Sequence, residues 1–172
     1  VRSGALGKIM FGDLTEIQKA ILDKALNETY GKKGITKESF RNKQMPILSD
    51  LYRELEILRN KAPRTEQMTY QALLNRLYMY TSGVFSFMNQ QTYVQFDKDF
   101  VCFNIGDMPK QVKPVIMFLI LDYVYMKMKQ TKKRKLLAID EAWSLLGRTE
   151  EASYIFEIVK TCRKYNMGLL LI

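Results

Sequence analysis

The stretch Leu136-Leu137-Ala138-Ile139-Asp140-Glu141-Ala142-Trp143 decides how this sequence reads. Four consecutive apolar residues without polar alternation describe a short strand covered on both faces, as in a parallel sheet flanked by helices. The run ends in two adjacent carboxylates, which places Asp140 and Glu141 at the carboxyl edge of that strand. Open α/β sheets bind their ligands at this edge. An aspartate there can hold Mg²⁺ directly or through water, and a following glutamate can polarise a water against a phosphorus atom. The same residues also suit a strand that merely ends in solvated acids.

Downstream, residues 148–165 read as a helix with Ala152, Ile155, Phe156, Val159 and Cys162 on its apolar face, and residues 168–172 as a second buried strand. Upstream, residues 100–105 form another nearly continuous apolar run, expected to be a strand. A helix from Pro109 to about Lys129 follows the turn-like Gly106-Asp107. Strand, helix, strand, helix, strand is the pattern of a parallel sheet with right-handed crossovers. Three strands make an unusually small sheet, so this half reads as part of a larger α/β core.

Before residue 93 every long periodic segment is helical. Asp13 can cap a helix with Glu16 at its third position and Ile17, Ile21, Ala25 and Leu26 along one face, ended by Gly31. Thr36 can start a short turn through Phe40. Pro46 suits the first turn of a helix striped by Leu48, Leu51, Tyr52, Leu55 and Leu58, which Pro63 stops. A third amphipathic stretch covers residues 65–80 and ends before Gly83. The expected organisation is an all-helical part over residues 1–92 and an α/β part over residues 93–172.

Composition removes whole classes of chemistry. With no histidine, triads, imidazole metal ligands and imidazole proton shuttles are excluded. Two cysteines, Cys102 and Cys162, exclude a disulfide scaffold or a four-thiolate zinc site within the chain and point to a reducing cytoplasmic setting. No apolar core of a signal peptide stands near Val1, and the longest apolar run, residues 115–121, falls far short of the ~20 residues of a membrane span. The net charge of +9 favours acidic partners and is spread over both halves. One cluster stands out: Lys127, Lys129, Lys132, Lys133, Arg134 and Lys135. It suits a solvated helix end or a binding patch.

A wider set of segments surrounds Asp140-Glu141. Leu14-Thr15-Glu16 leads to Tyr30 and Gly34-Ile35-Thr36, followed by Pro46-Ile47-Leu48-Ser49-Asp50-Leu51 and Tyr80-Thr81-Ser82-Gly83. Phe103-Asn104-Ile105-Gly106-Asp107-Met108-Pro109, Leu121-Asp122-Tyr123, Ile139-Asp140-Glu141-Ala142-Trp143 and Arg163-Lys164-Tyr165 complete it. Over essentially its whole length the chain resembles the ATPases of conjugative transfer and type IV secretion, the VirB-type and TraC-like proteins of the HerA/FtsK group of P-loop NTPases.

The resemblance implies a partial RecA-like α/β core preceded by an all-α insertion, in a hexameric motor that uses ATP and Mg²⁺. By the same resemblance Asp140 holds the metal of the bound nucleotide, Glu141 is the catalytic glutamate and Arg163 the arginine finger. It also implies type IV secretion components of the inner membrane as partners, and a cytoplasmic location at the inner face of the cytoplasmic membrane.

Geometry bears on Arg163 separately. A helix following Asp140 returns antiparallel to the strands, so its far end lies roughly 25 Å from its start at ~1.5 Å per residue. Arg163 then stands at the edge opposite Glu141 and could act on a neighbouring subunit's nucleotide. An arginine at a helix C-terminus also suits the helix dipole.

The chain departs from the family at the phosphate-binding loop. Gly4-Ala5-Leu6-Gly7-Lys8 has two residues where that loop needs four, and Ile9 follows the lysine where a hydroxyl is required. The family's nucleotide-sensing glutamine would follow Ile172. The chain alone is therefore expected to bind ATP weakly and to hydrolyse almost none. Trp143, Cys102 and Cys162 read as packing residues. The basic cluster, at the edge opposite the carboxylates, is a candidate surface for acidic lipid, DNA or a partner subunit. Two other function classes stay open: a DNA-pumping translocase of the HerA/FtsK type, and a non-catalytic helical interaction module.

Overall fold

The structure is a computed structural model and describes residues 10–36, 38–39, 42–91, 98–110, 112–130, 132–142 and 149–172. Two compact units divide the chain, one of them Met10–Phe103 and the other containing Asn104–Ile172.

Among the described residues the first unit contains α1 (Glu16–Lys32), α2 (Leu48–Lys61) and α3 (Arg64–Thr81), followed by a 3₁₀ turn at Ser86–Met88. The cap of α1 is Thr15, two positions beyond the expected Asp13. Thr15 Oγ1 accepts from the Gln18 N–H at 3.2 Å and Gln18 Oε1 accepts from the Thr15 N–H at 3.0 Å, a reciprocal pair that closes the first turn. Gly31 lies inside α1, which ends at the Lys33 cap followed by Gly34 at φ +67°. Helix α2 begins after Pro46 and Ile47, with the Asp50 carboxylate accepting from the Ile47 N–H at 3.0 Å. Another donor of its first turn, the Ser49 N–H, bonds Asn89 Oδ1 at 2.9 Å. This satisfies a group that a helix start otherwise leaves without a partner.

Leu51, Leu55 and Leu58 of α2 meet Leu73, Leu74 and Leu77 of α3 in the core of this unit, with Ile21 and Ala25 of α1 against them. Their spacing of three and four residues is what brings them to one face. Ile17, placed on the same stripe by periodicity, is exposed. Glu54 is buried in this core region at 3% exposure; its Oε2 accepts from Lys32 of α1, while its Oε1 has no hydrogen-bond partner among the described residues. The close turn after α3 needs glycine, because a Cβ on Gly83 would lie 2.9 Å from Met79 Cα.

The second unit runs α4 (Lys113–Gln130), β1 (Lys135–Ile139), α5 (Thr149–Cys162), a 3₁₀ turn (Arg163–Tyr165) and β2 (Met167–Leu171). The two strands pair in parallel, Lys135 opposite Met167 and Ile139 opposite Leu171. A core of Phe118, Leu121, Tyr125 and Met128 from α4, Ile155 and Ile158 from α5, and Ile139, Ala142 and Met167 holds the helices to the sheet.

Three expectations fail here. Residues 100–105 form no strand: none of them pairs in a ladder, and Phe100 is 85% exposed. An apolar run becomes a strand only where an edge offers it hydrogen-bond partners. Cys102 is exposed rather than a core residue, for the same reason. The buried face of α5 runs through Ile155 and Ile158, leaving Phe156 and Val159 exposed, because the helix is rotated from the phase its apolar residues suggested. The turn at Phe40 and the packing of Trp143 lie outside the described residues.

Candidate active site

The site begins with the end of β1. Past Ile139 the strand pairing continues for one more step, since the Ile172 N–H donates to Ile139 O at 3.0 Å and the Ala142 N–H to Ile172 O at 2.9 Å. Ala142 is buried in the core, so the Asp140-Glu141 turn is pinned on both sides. Within the turn the Glu141 N–H donates to Asp140 Oδ1 at 2.9 Å. Glu141 itself takes φ +56°, the left-handed region that non-glycine residues rarely adopt. Both acidic residues are exposed at the carboxyl edge of the sheet. Backbone strain of this kind costs about 1–3 kcal/mol and is common at active sites and ligand clamps.

The donor set suits Mg²⁺ bound together with a nucleotide. Hard carboxylate oxygens are its protein ligands, and it is usually held by one or two of them with phosphate oxygens and water. No group of three or more His, Cys, Asp or Glu side chains able to enclose a metal exists among the described residues. The edge therefore offers a partial shell for a cation carried by phosphates.

Arg163 stands at the other edge. It opens the 3₁₀ turn that precedes β2, and it is exposed. From Met167 to Leu171 the strand advances four residues, about 13 Å at ~3.3 Å each, so Asp140 and Glu141 are at least that far away. The structure thus brings Asp140 and Glu141 together and separates Arg163 from both.

Asn166 was not singled out in the sequence. It adopts φ +54°, its N–H donates to Arg163 O at 3.2 Å and its Nδ2 donates to Lys132 O at 3.0 Å, while its carbonyl accepts from the Lys135 N–H at 3.1 Å. One residue thereby fixes the turn carrying Arg163 against the loop before β1. Asparagine just ahead of an apolar strand is the available signal, since asparagine enters the left-handed region more readily than most residues. In the segment before α4, Asn104 Oδ1 accepts from the Gly106 N–H at 3.0 Å and Pro109 O accepts from the Val112 N–H at 2.9 Å. These bonds explain Gly106, Asp107 and Pro109 as a turn that leads into the helix.

Residues 15–172 match the model of the TraG P-loop domain. The solved structure of VirB4 of Thermoanaerobacter pseudethanolicus is similar over 98% of this chain, with 27% identity and a TM-score of 0.78. The chain spans 47% of the length of that protein. No curated protein matches significantly.

Proposed function

Because the chain belongs to the TraG P-loop domain family, we propose that it forms part of an ATP-hydrolysing motor that energises conjugative DNA transfer or type IV secretion. The observation that carries this reading is the Asp140-Glu141 turn, exposed at the carboxyl edge of β1 with Glu141 held in a left-handed conformation. In the longer parent protein Asp140 orients the Mg²⁺ of MgATP, and Glu141 positions the attacking water and accepts its proton. When bound, the metal neutralises charge on the β- and γ-phosphates. Arg163, at the opposite edge, reaches the nucleotide of a neighbouring copy and stabilises charge that develops in the transition state. A ring of six copies is the assembly that supplies such a neighbour to every site. The helical unit is an insertion into the core, and the motor works with inner-membrane secretion components at the cytoplasmic face.

The chain of 172 residues alone has no phosphate cradle of the required spacing and hydrolyses almost no ATP. Turnover of Mg-ATP by the full-length parent tests the assignment. Glu141→Gln is expected to lower kcat by about 10²–10⁴-fold with nucleotide still bound. Arg163→Ala is expected to lower kcat by about 10³-fold, and mixing the two variants is expected to restore part of the activity. Full activity in Glu141→Gln would remove the catalytic role. No recovery in the mixture would return Arg163 to its own subunit. Robust turnover by the 172-residue chain, lost in Glu141→Gln, would overturn the need for a further phosphate loop.

A further inference from the structure

Residues 123–139 and 158–172 hold nine of the 27 Lys and Arg residues and none of the 18 Asp and Glu residues. The other 18 basic residues balance the 18 acidic ones, so the whole net charge of +9 resides in these two segments. The fold gathers their cations at one place, the amino edge of the β1–β2 pair. Lys132, Lys133 and Arg134 precede β1, Arg163 and Lys164 precede β2, and all five are exposed. Asn166 ties the two approaches through its bonds to Lys132 O and the Lys135 N–H. Lys127 and Lys129 join from the last turn of α4. Among the described residues, no carboxylate forms an ion pair with Lys127, Lys129, Lys132, Lys133, Arg134 or Lys164.

The surroundings select the kind of polyanion. Lys127, Lys129 and Lys164 lie over the rings of Tyr123, Tyr125 and Tyr165 at 5.8, 3.9 and 5.9 Å from their centroids. Tyr125 is also buried. These rings support ammonium groups and are not laid open as the flat platforms on which nucleobases stack. Two large apolar side chains stand out among the cations instead, Met126 at 54% and Leu136 at 69% exposure. Lysines that can reach phosphate, with apolar side chains between them, match the boundary of an acidic bilayer, where charge attracts and short apolar groups enter.

We propose that the part of this edge before β1 docks on an anionic phospholipid bilayer, with Lys127, Lys132, Lys133 and Arg134 on the headgroup phosphates, while the Arg163–Lys164 turn is left to the neighbouring copy. The proposal assigns a face to the membrane-peripheral location proposed above. It rests on that reading only for where the bilayer is met, and hydrolysis plays no part in it.

Co-sedimentation of the chain with vesicles tests it, using phosphatidylcholine alone or with about one-third phosphatidylglycerol. Binding is expected only to the acidic vesicles, and it should weaken as salt rises from about 0.1 to 0.5 M. At roughly fivefold per cation, the triple variant Lys132→Gln/Lys133→Gln/Arg134→Gln should bind about a hundredfold more weakly. Lys127→Gln, on α4, should cost about fivefold by the same reasoning. The charge-matched variant Lys24→Gln/Lys61→Gln/Arg64→Gln, exposed in the helical unit, should bind like the parent chain. No binding to acidic vesicles, equal binding to neutral ones, or equal loss in the charge-matched variant overturns the proposal. Tighter binding of a DNA duplex than of acidic vesicles at the same salt, weakened by the same triple variant, overturns it in favour of nucleic acid. Each of these outcomes leaves the ATPase assignment untouched, because that is read by turnover.

Discussion

Replacing Glu141 separates what the backbone needs from what the chemistry needs. A residue with a β-carbon in the left-handed region costs about 1–2 kcal/mol relative to ordinary conformations, and Glu141 sits there at φ +56°. Glycine removes that cost but adds about 0.5–1 kcal/mol of unfolded-state entropy. Since the residue is exposed, little packing is lost, and Glu141→Gly should leave the α/β unit unchanged or stabilise it by up to about 1 kcal/mol. Glu141→Gln keeps both shape and backbone and should fall within about 0.5 kcal/mol of the parent. Glu141→Val forces a β-branched residue into the same conformation and should cost about 1–3 kcal/mol. Urea unfolding followed by circular dichroism reads the stability, with midpoints compared at constant slope. A loss of more than about 1 kcal/mol for Glu141→Gly, or a valine variant as stable as the glutamine one, would refute a left-handed, non-packing Glu141. The parent's activity should follow another order, with glutamine, glycine and valine all inactive. A position where stability and activity rank substitutions differently is one whose strain is retained for chemistry.

Two further outcomes test the supports of the site and of the helical unit. Asn166→Ala loses the bond to Lys132 O and replaces a residue that enters the left-handed region readily by one that does not, so it should destabilise the α/β unit by about 2 kcal/mol in the same unfolding assay. Asn166→Gly loses only the bond and should cost clearly less; equal losses would contradict the φ of +54°. Burial alone would raise the Asp50 carboxyl, but the Ile47 N–H bond together with Lys33 and Arg53 holds it below its ordinary value. The stability it contributes is therefore present above the unfolded pKa, about 3.9, and is lost as pH falls through the lower folded value. In thermal melts followed by circular dichroism, Asp50→Asn should be less stable than the parent at pH about 6, with the gap closing as the pH drops below about 4. A gap that persists in acid would show that Asp50 acts through shape rather than charge.

Both strands of the pair were legible in the sequence, because residues 136–139 and 168–171 are apolar, short and bounded by polar or glycine signals. Their parallel pairing followed from the helix between them. Residues 100–105 carry the same apolar signal and form no strand, since composition cannot say whether a pairing edge exists. The α1 cap was missed by two residues because Asp13 and Thr15 are both good caps, and the reciprocal bond with Gln18 decides between them. At the site, Asp140 and Glu141 were visible as an acid pair at a strand end. The left-handed turn was not, since nothing about glutamate announces it. The charge of +9 looked diffuse when counted by halves, apart from the cluster Lys127–Lys135, and the fold adds residues 163–164 to that cluster.

The parallel pairing of β1 with β2 also sets a kinetic hierarchy. In the helical unit, α2 and α3 are joined by the short link at Ala62 and Pro63, so their contact closes almost no loop. In the α/β unit the strands meet only after residues 140–166 have been spanned, and closing that longer loop costs entropy before any ladder bond repays it. The helical hairpin is thus the fast, local event, and pairing of β1 with β2 the slow, non-local one. Asp140 and Glu141 take their places only when that slow closure is complete, because the bond from the Ala142 N–H to Ile172 O belongs to the last rung.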